Sequence, residues 1–203
     1  MLATLNQWDQ DLFLLLNGWH HELVDPVMAF VSEKWVWIPL YAVLLFLIFR
    51  KLGWQGTLWT LLAIGVLITM SDQFASGFLK PTVARFRPCR TEALGELVHI
   101  VNGHCGGKYG FASSHAANFF ALATFMSRFL QKPSWTIALF GAAVLTAYSR
   151  VYLGVHYPAD VIFGALIGIV FGSLIWYSYA RFIGPLLSKP ALPPPFSDQN
   201  SGS

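Results

Sequence analysis

The chain has 203 residues, room for one domain, with 55% hydrophobic and only 11% charged residues and a mean hydropathy of +0.54. Soluble domains carry about a quarter charged residues, so this composition excludes an ordinary soluble protein and predicts an integral membrane one. A net charge of +3 is too small to argue for nucleic acid as a partner.

Residues 1–18 carry Leu2, Leu5, Trp8, Leu12, Leu15 and Leu16 at helical spacing, interrupted by Asp9 and Asp11. That pattern predicts an amphipathic helix lying on the membrane surface rather than crossing it. Acidic and polar side chains stand where a cleavable signal peptide has a basic region, so insertion is expected to rely on internal spans. Asn17-Gly18 ends this helix, and Asp25-Pro26 predicts the start of a second short one. Apolar runs follow at about 35–50, 54–74, 114–131, 134–149 and 159–180. Only the last holds the roughly 20 apolar residues that a full crossing needs, and the others reach that length only with their polar ends. The expected fold class is all-α: an integral membrane helical bundle with about five transmembrane helices plus the N-terminal amphipathic and short helices. Residues 183–203, Pro-rich and then polar, read as a disordered C-terminal tail.

Five crossings place the chain ends on opposite faces. One face then receives Arg50, Lys51, Arg128, Lys132, Arg181 and Lys189; the other receives Lys34, Lys80, Arg85, Arg87, Arg90, Lys108 and Arg150. The raw counts do not decide orientation by the positive-inside rule. If the second group is reserved for an anion, the first becomes the cytoplasmic signal and the anion site faces outward, which in a bacterium is the periplasm. Cys89 and Cys105 fall in the same outward loop. In an oxidising compartment they can pair, closing a loop worth about 3 kcal/mol in the chain-entropy model. Two free thiols, or a zinc site with His99, His104 and Cys105, are the other readings, the last weakened by the adjacent His-Cys spacing.

Three polar clusters interrupt the apolar pattern. Lys80-Pro-Thr-Val-Ala-Arg85-Phe-Arg87-Pro88 concentrates cations after the second run, where guanidinium forks and an ammonium suit phosphate oxygens; a basic patch for anionic headgroups reads the same way. Phe111-Ala112-Ser113-Ser114-His115 opens the third run. Ser113 is a candidate N-cap, the helix start offers N–H groups to an anion, and His115 follows in the first turn. An ordinary interfacial histidine is the plainer alternative. Ser149-Arg150-Val-Tyr-Leu-Gly-Val-His156-Tyr-Pro158-Ala-Asp160 joins the last two runs. Asp160 in the first turn after Pro158 can hold one imidazole nitrogen of His156 and leave the other free as base or nucleophile; a structural His–Asp cap is the alternative. All three clusters project from one side of the five-span arrangement.

Lys80-x6-Arg87-Pro88, Ala112-Ser113-Ser114-His115 and Ser149-Arg150-x5-His156-x3-Asp160 together resemble the three-part signature of the type 2 phosphatidic acid phosphatase superfamily, over roughly residues 80–160. Residues 1–182 are then a membrane domain of that type. The middle part departs from the usual Pro-Ser-Gly-His, with Ala112 for proline and Ser114 for glycine. Ser114 keeps its backbone N–H, so the departure bears on substrate fit rather than on catalysis.

The resemblance implies a metal-independent lipid phosphatase with no cofactor. It assigns His156 as the nucleophile that becomes a phosphohistidine, Asp160 as its orienting carboxylate, and His115 as the group that protonates the leaving oxygen and then activates water. Lys80, Arg87 and Arg150, with Ser113 and Ser114, would hold the phosphoryl oxygens. Phosphoryl transfer is mostly positioning and charge stabilisation, which such a set can supply. Vanadium haloperoxidases share the signature but are soluble. A lipid phosphotransferase and a non-enzymatic anionic-lipid-binding protein are the remaining alternatives. Membrane lipids and a lipid phosphate are the expected partners, with undecaprenyl diphosphate favoured for an outward-facing site and phosphatidylglycerophosphate, phosphatidic acid and lipid A phosphates also fitting.

Overall fold

A computed structural model describes residues 2–187, and the described residues are helices and connecting loops. Helix α1 spans Leu2–Gly18 and α2 spans Asp25–Ser32. α1 is amphipathic, and Leu16 packs beside Phe13 against the bundle, but most of its apolar stripe does not. Leu5, Trp8, Leu12 and Leu15 are 43–65% exposed, whereas Phe13 and Asn17 are fully buried. The reason is polar: Asn17 Nδ2 donates to the carbonyls of His99 (3.0 Å), Val151 (3.3 Å) and Tyr152 (2.8 Å), and its Oδ1 accepts from His99 N–H (2.8 Å). A buried amide with every group satisfied pins α1 to the protein and leaves most of the apolar stripe turned outward.

Helix α3, Ile38–Asp72, contains both of the first two apolar runs and is broken at Gly53 (φ 66°, ψ −169°), a conformation glycine adopts without Cβ strain. The break turns the arms back on each other, so that Leu44 and Ile48 share a cavity with Leu61, Ile64 and Ile68. A wider helical turn, Gln73–Leu79, leads into the short α4, Lys80–Val83. In the loop beyond it Cys89 and Cys105 form a disulfide with Cα atoms 5.9 Å apart. The bond removes Cys105 from any zinc site, and His99 Nε2 lies instead 3.0 Å from Asp25 Oδ1.

The remaining long helices are α5 (Ser114–Leu130), α6 (Pro133–Tyr152) and α7 (Pro158–Ser178), the last two opening on proline, whose missing N–H costs nothing there. α5 and α7 touch backbone to backbone. A Cβ at Gly164, Gly168 or Gly172 of α7 would press on the carbonyl oxygens of Ser113, Ala117 and Ala121 of α5. A small residue at every fourth position is what lets two helices approach this closely in a membrane. The contact sets the start of α5 beside the start of α7.

The main core, with Ile48, Leu67, Phe125, Met126 and Phe129, continues beyond the boundary expected at residue 182. Tyr179 is buried with its hydroxyl 2.7 Å from Thr60 Oγ1, and the helical turns Tyr179–Ile183 and Gly184–Leu187 bring Ile183 and Leu187 onto the core. Apolar packing therefore orders 183–187, which composition assigned to the tail; the rest of the expected tail lies outside the described residues. Among the described residues, two stretches are long and apolar enough to cross a membrane by length and composition, Lys34–Val83 and Pro158–Leu187.

Candidate active site

The loops before α5 and α7 meet at one end of the bundle, where three sequence-distant clusters come together. His156, in the connection between α6 and α7, is 1% exposed. Its Nδ1 lies 3.3 Å from Asp160 Oδ2, and its Nε2 lies 3.1 Å from Arg87 Nη1. A guanidinium can only donate, so Nε2 must be the accepting nitrogen and Nδ1 carries the proton toward the carboxylate. Tautomer and ring orientation are thus fixed from both sides. Burial first, then the charges of Arg87, Arg150 and Lys80, hold this imidazole well below the ordinary histidine range, so it is neutral, with Nε2 unprotonated and its lone pair accepting from Arg87.

Asp160, fully buried in the first turn of α7, is itself held by three groups. Oδ2 accepts from Tyr157 N–H (3.0 Å) as well as facing His156, and Oδ1 accepts from Arg85 Nη1 (3.1 Å). Arg87 is anchored by donating from Nε to Gly107 O (2.8 Å) and from Nη1 to Val155 O (2.9 Å). Those bonds leave its other terminal nitrogen for a ligand. Arg150, in the last turn of α6, donates to Ser32 Oγ, while its Nε is buried with no partner among the described residues. Lys80 Nζ donates to Ser76 Oγ at 3.3 Å and shares its electrostatic surroundings with Arg87 and Arg150.

Ser113 is the N-cap of α5, its Oγ accepting from Ala116 N–H (3.5 Å) and its own N–H donating to Asp160 O (2.9 Å). Its hydroxyl therefore caps α5, while its N–H ties the start of α5 to α7. The N–H groups that the helix leaves unpartnered belong to the next residues, Ser114 and His115. His115 is an electrostatic neighbour of Arg150, His156, Lys34 and Lys80, and with Ser114 it lines the mouth of a cavity between the α3 arms and α5. The structure thus gathers Lys80, Arg87, His115, Arg150, His156 and Asp160, with the start of α5, at one end of the bundle.

Sequence reading missed a supporting layer. Arg85 was seen only as one cation of a cluster, yet it bridges Asp160 to α1: Nη2 lies 2.7 Å from Asp9 Oδ2 and 3.0 Å from Asn6 Oδ1, with the guanidinium 4.0 Å over the Tyr157 ring. Asp9 Oδ1 also accepts from Ala159 N–H at 2.9 Å. A carboxylate on a helix otherwise reading as membrane-facing was the available signal. Gly110 gave none, although a Cβ there would lie 2.9 Å from Asp160 Oδ2. Nor did Ser32, which meets Arg150 only through the fold.

The arrangement brings a neutral, oriented imidazole, a second imidazole, several cations and the amides of a helix start together at one end of the bundle. Residues 59–183 match the model of the PAP2 superfamily. The chain is 37% identical to a lipid A 4'-phosphatase of Bacteroides thetaiotaomicron over 95% of its own length and 86% of that protein. It is 31% identical to an undecaprenyl-diphosphatase of Sulfolobus acidocaldarius, covering 78% of this chain and 72% of the other. The crystal structure of Aquifex aeolicus LpxE superposes with a TM-score of 0.59 at 30% identity, over 83% of this chain and 94% of that one. The chain belongs to the PAP2 superfamily and is a membrane phosphatase of that family.

Proposed function

We propose that the protein removes a phosphate monoester from lipid A, an acylated amino-sugar lipid, at the outward face of a bacterial inner membrane. The carrying observation is His156, with Nδ1 facing Asp160 and Nε2 turned to the cation cluster. Nε2 attacks phosphorus in line, a P–N bond forms as the ester P–O bond breaks, and His115 gives its proton to the departing sugar oxygen. His115 then takes a proton from water, whose oxygen attacks phosphorus, and the P–N bond breaks to release inorganic phosphate. Lys80, Arg87 and Arg150, with the N–H groups at Ser114 and His115, hold the phosphoryl oxygens, and Ser113 holds the helix start in place.

Undecaprenyl diphosphate, the substrate favoured on orientation alone, gives way to lipid A because similarity to the lipid A 4'-phosphatase is higher and covers nearly the whole chain. Five crossings are proposed: the two arms of α3, then α5, α6 and α7. Arg50, Lys51, Arg128, Lys132 and Arg181 then gather on the cytoplasmic side. A disulfide between Cys89 and Cys105 at the site end supports an oxidising, outward compartment.

The test is phosphate release from lipid A 4'-phosphate by purified protein in detergent, with acid-labile phosphoprotein trapped by rapid quench. Release and trapping should both vanish in His156→Ala. Trapping that persists in the variant would remove His156 as nucleophile, and phosphate recovered on a second lipid instead of in water would make the enzyme a transferase.

A further inference from the structure

The cavity beside His115 carries polar groups that neither the signature nor the phosphate chemistry uses. It measures about 420 Å³ and runs from Ser114 and His115 to Met126, lined mostly by apolar side chains of the α3 arms and α5. At 1.5 Å per helical residue that path is roughly 17 Å long, enough to take much of an acyl chain. Its His115 end also carries Asp72, Asn118 and Lys34. Asn118 Nδ2 donates to Asp72 Oδ1 at 3.2 Å. A flipped amide would set oxygen against carboxylate, so the bond fixes which way Asn118 points. Its Oδ1 is then buried without a partner, and Asp72 joins no ion pair among the described residues.

Buried acceptors left unpaired are costly, and structures seldom keep them without use. Here the unpaired amide oxygen of Asn118 and the Asp72 carboxylate line the same cavity as His115, the group that would protonate the leaving oxygen. We infer that Asp72 and Asn118 select the leaving group: they accept hydrogen bonds from hydroxyl or amide N–H donors flanking the scissile oxygen, and they repel a second phosphate. An acylated amino sugar presents such donors next to its phosphate. A polyprenyl diphosphate presents at the same place a phosphate rich in acceptors and negative charge, facing a carboxylate. The pair therefore favours a donor-bearing phosphate monoester over a diphosphate. Lys34, which lines the same cavity, is left to attract an anionic headgroup without distinguishing the two. This inference rests on the proposed reading of His115 as the leaving-group side, and it adds what the leaving group must contain.

The experiment compares kcat/KM for three substrates in one detergent system: lipid A 4'-phosphate, phosphatidylglycerophosphate with its free hydroxyl, and undecaprenyl diphosphate. In Asp72→Asn the preference for either donor-bearing monoester over the diphosphate should fall about tenfold or more, the loss expected when a hydrogen bond to a charged group is removed and a repulsion relieved. Asn118→Leu, which keeps the carboxylate, should lower the same ratio by a smaller factor and guards against misfolding of the first variant. A ratio within twofold of the parent protein in both variants overturns the selector role and makes the pair a structural staple between α3 and α5. If the parent protein ignores lipid A but hydrolyses phosphatidylglycerophosphate, the proposed substrate fails, while the ratio against the diphosphate still decides the role of Asp72.

Discussion

Replacing Arg85 by methionine should damage catalysis without touching the phosphate. Its terminal nitrogens reach Asp160 at 3.1 Å and Asp9 at 2.7 Å, and the three side chains are 19%, 0% and 10% exposed for Arg85, Asp160 and Asp9. Removing one partner of a buried ion pair costs about 3–5 kcal/mol, and the partial exposure of Arg85 lowers that to about 2–3 kcal/mol. Asp160 is then a buried carboxylate facing little but Tyr157 N–H and His156, and it relieves the charge by taking up a proton. A protonated Asp160 accepts from the His156 Nδ1–H only as a neutral carbonyl, a weaker bond, so the Nε2 lone pair is aimed less firmly. If most of the lost energy is expressed in the transition state, kcat falls about 100-fold, since each tenfold corresponds to about 1.4 kcal/mol. KM should stay within about threefold, because Arg85 spends its donors on Asp160, Asp9 and Asn6. Steady-state phosphate release and thermal unfolding in the same detergent measure both effects, and Asp9→Asn should move kcat the same way by a smaller factor. A variant with unchanged kcat and raised KM would refute the reasoning and place Arg85 against the substrate.

Because burial and three cations hold His156 neutral, the acidic limb of kcat/KM attributable to the nucleophile should lie below pH 6.5, the ordinary histidine value. Removing a cation with Arg150→Gln raises the affinity of the imidazole for a proton, so that limb should move to higher pH; a pH–rate profile that keeps its limb would contradict the assignment. Gly168→Leu should abolish both folding yield and activity, as read by size-exclusion and phosphate release, because a side chain there meets the Ala117 carbonyl and drives α5 from α7. Cys89→Ser should lower stability by about 3 kcal/mol for a loop of this length. The loss should appear as a lower unfolding temperature that reductant reproduces in the parent protein and does not deepen in the variant.

The membrane character and the family were legible in local pattern. Low charge and long apolar runs declare a membrane protein, and three short motifs name His115, His156, Asp160 and most of the cations without any knowledge of their distances. The N-cap at Ser113 and the proline start of α7 were equally legible, because capping depends on residues within one turn. What depended on contacts between distant segments was not. The leucine spacing of α1 correctly gave a helix, yet which face meets the bundle was decided by a buried Asn17 bonding to two other segments. The order of residues 183–187 came from Ile183 and Leu187 finding the core, which composition cannot see. Arg85, Asp9 and the Asp72–Asn118 pair acquire roles only because the fold encloses them: a charge or an unpaired acceptor is cheap in water and expensive when buried, and burial is a property of the assembled bundle.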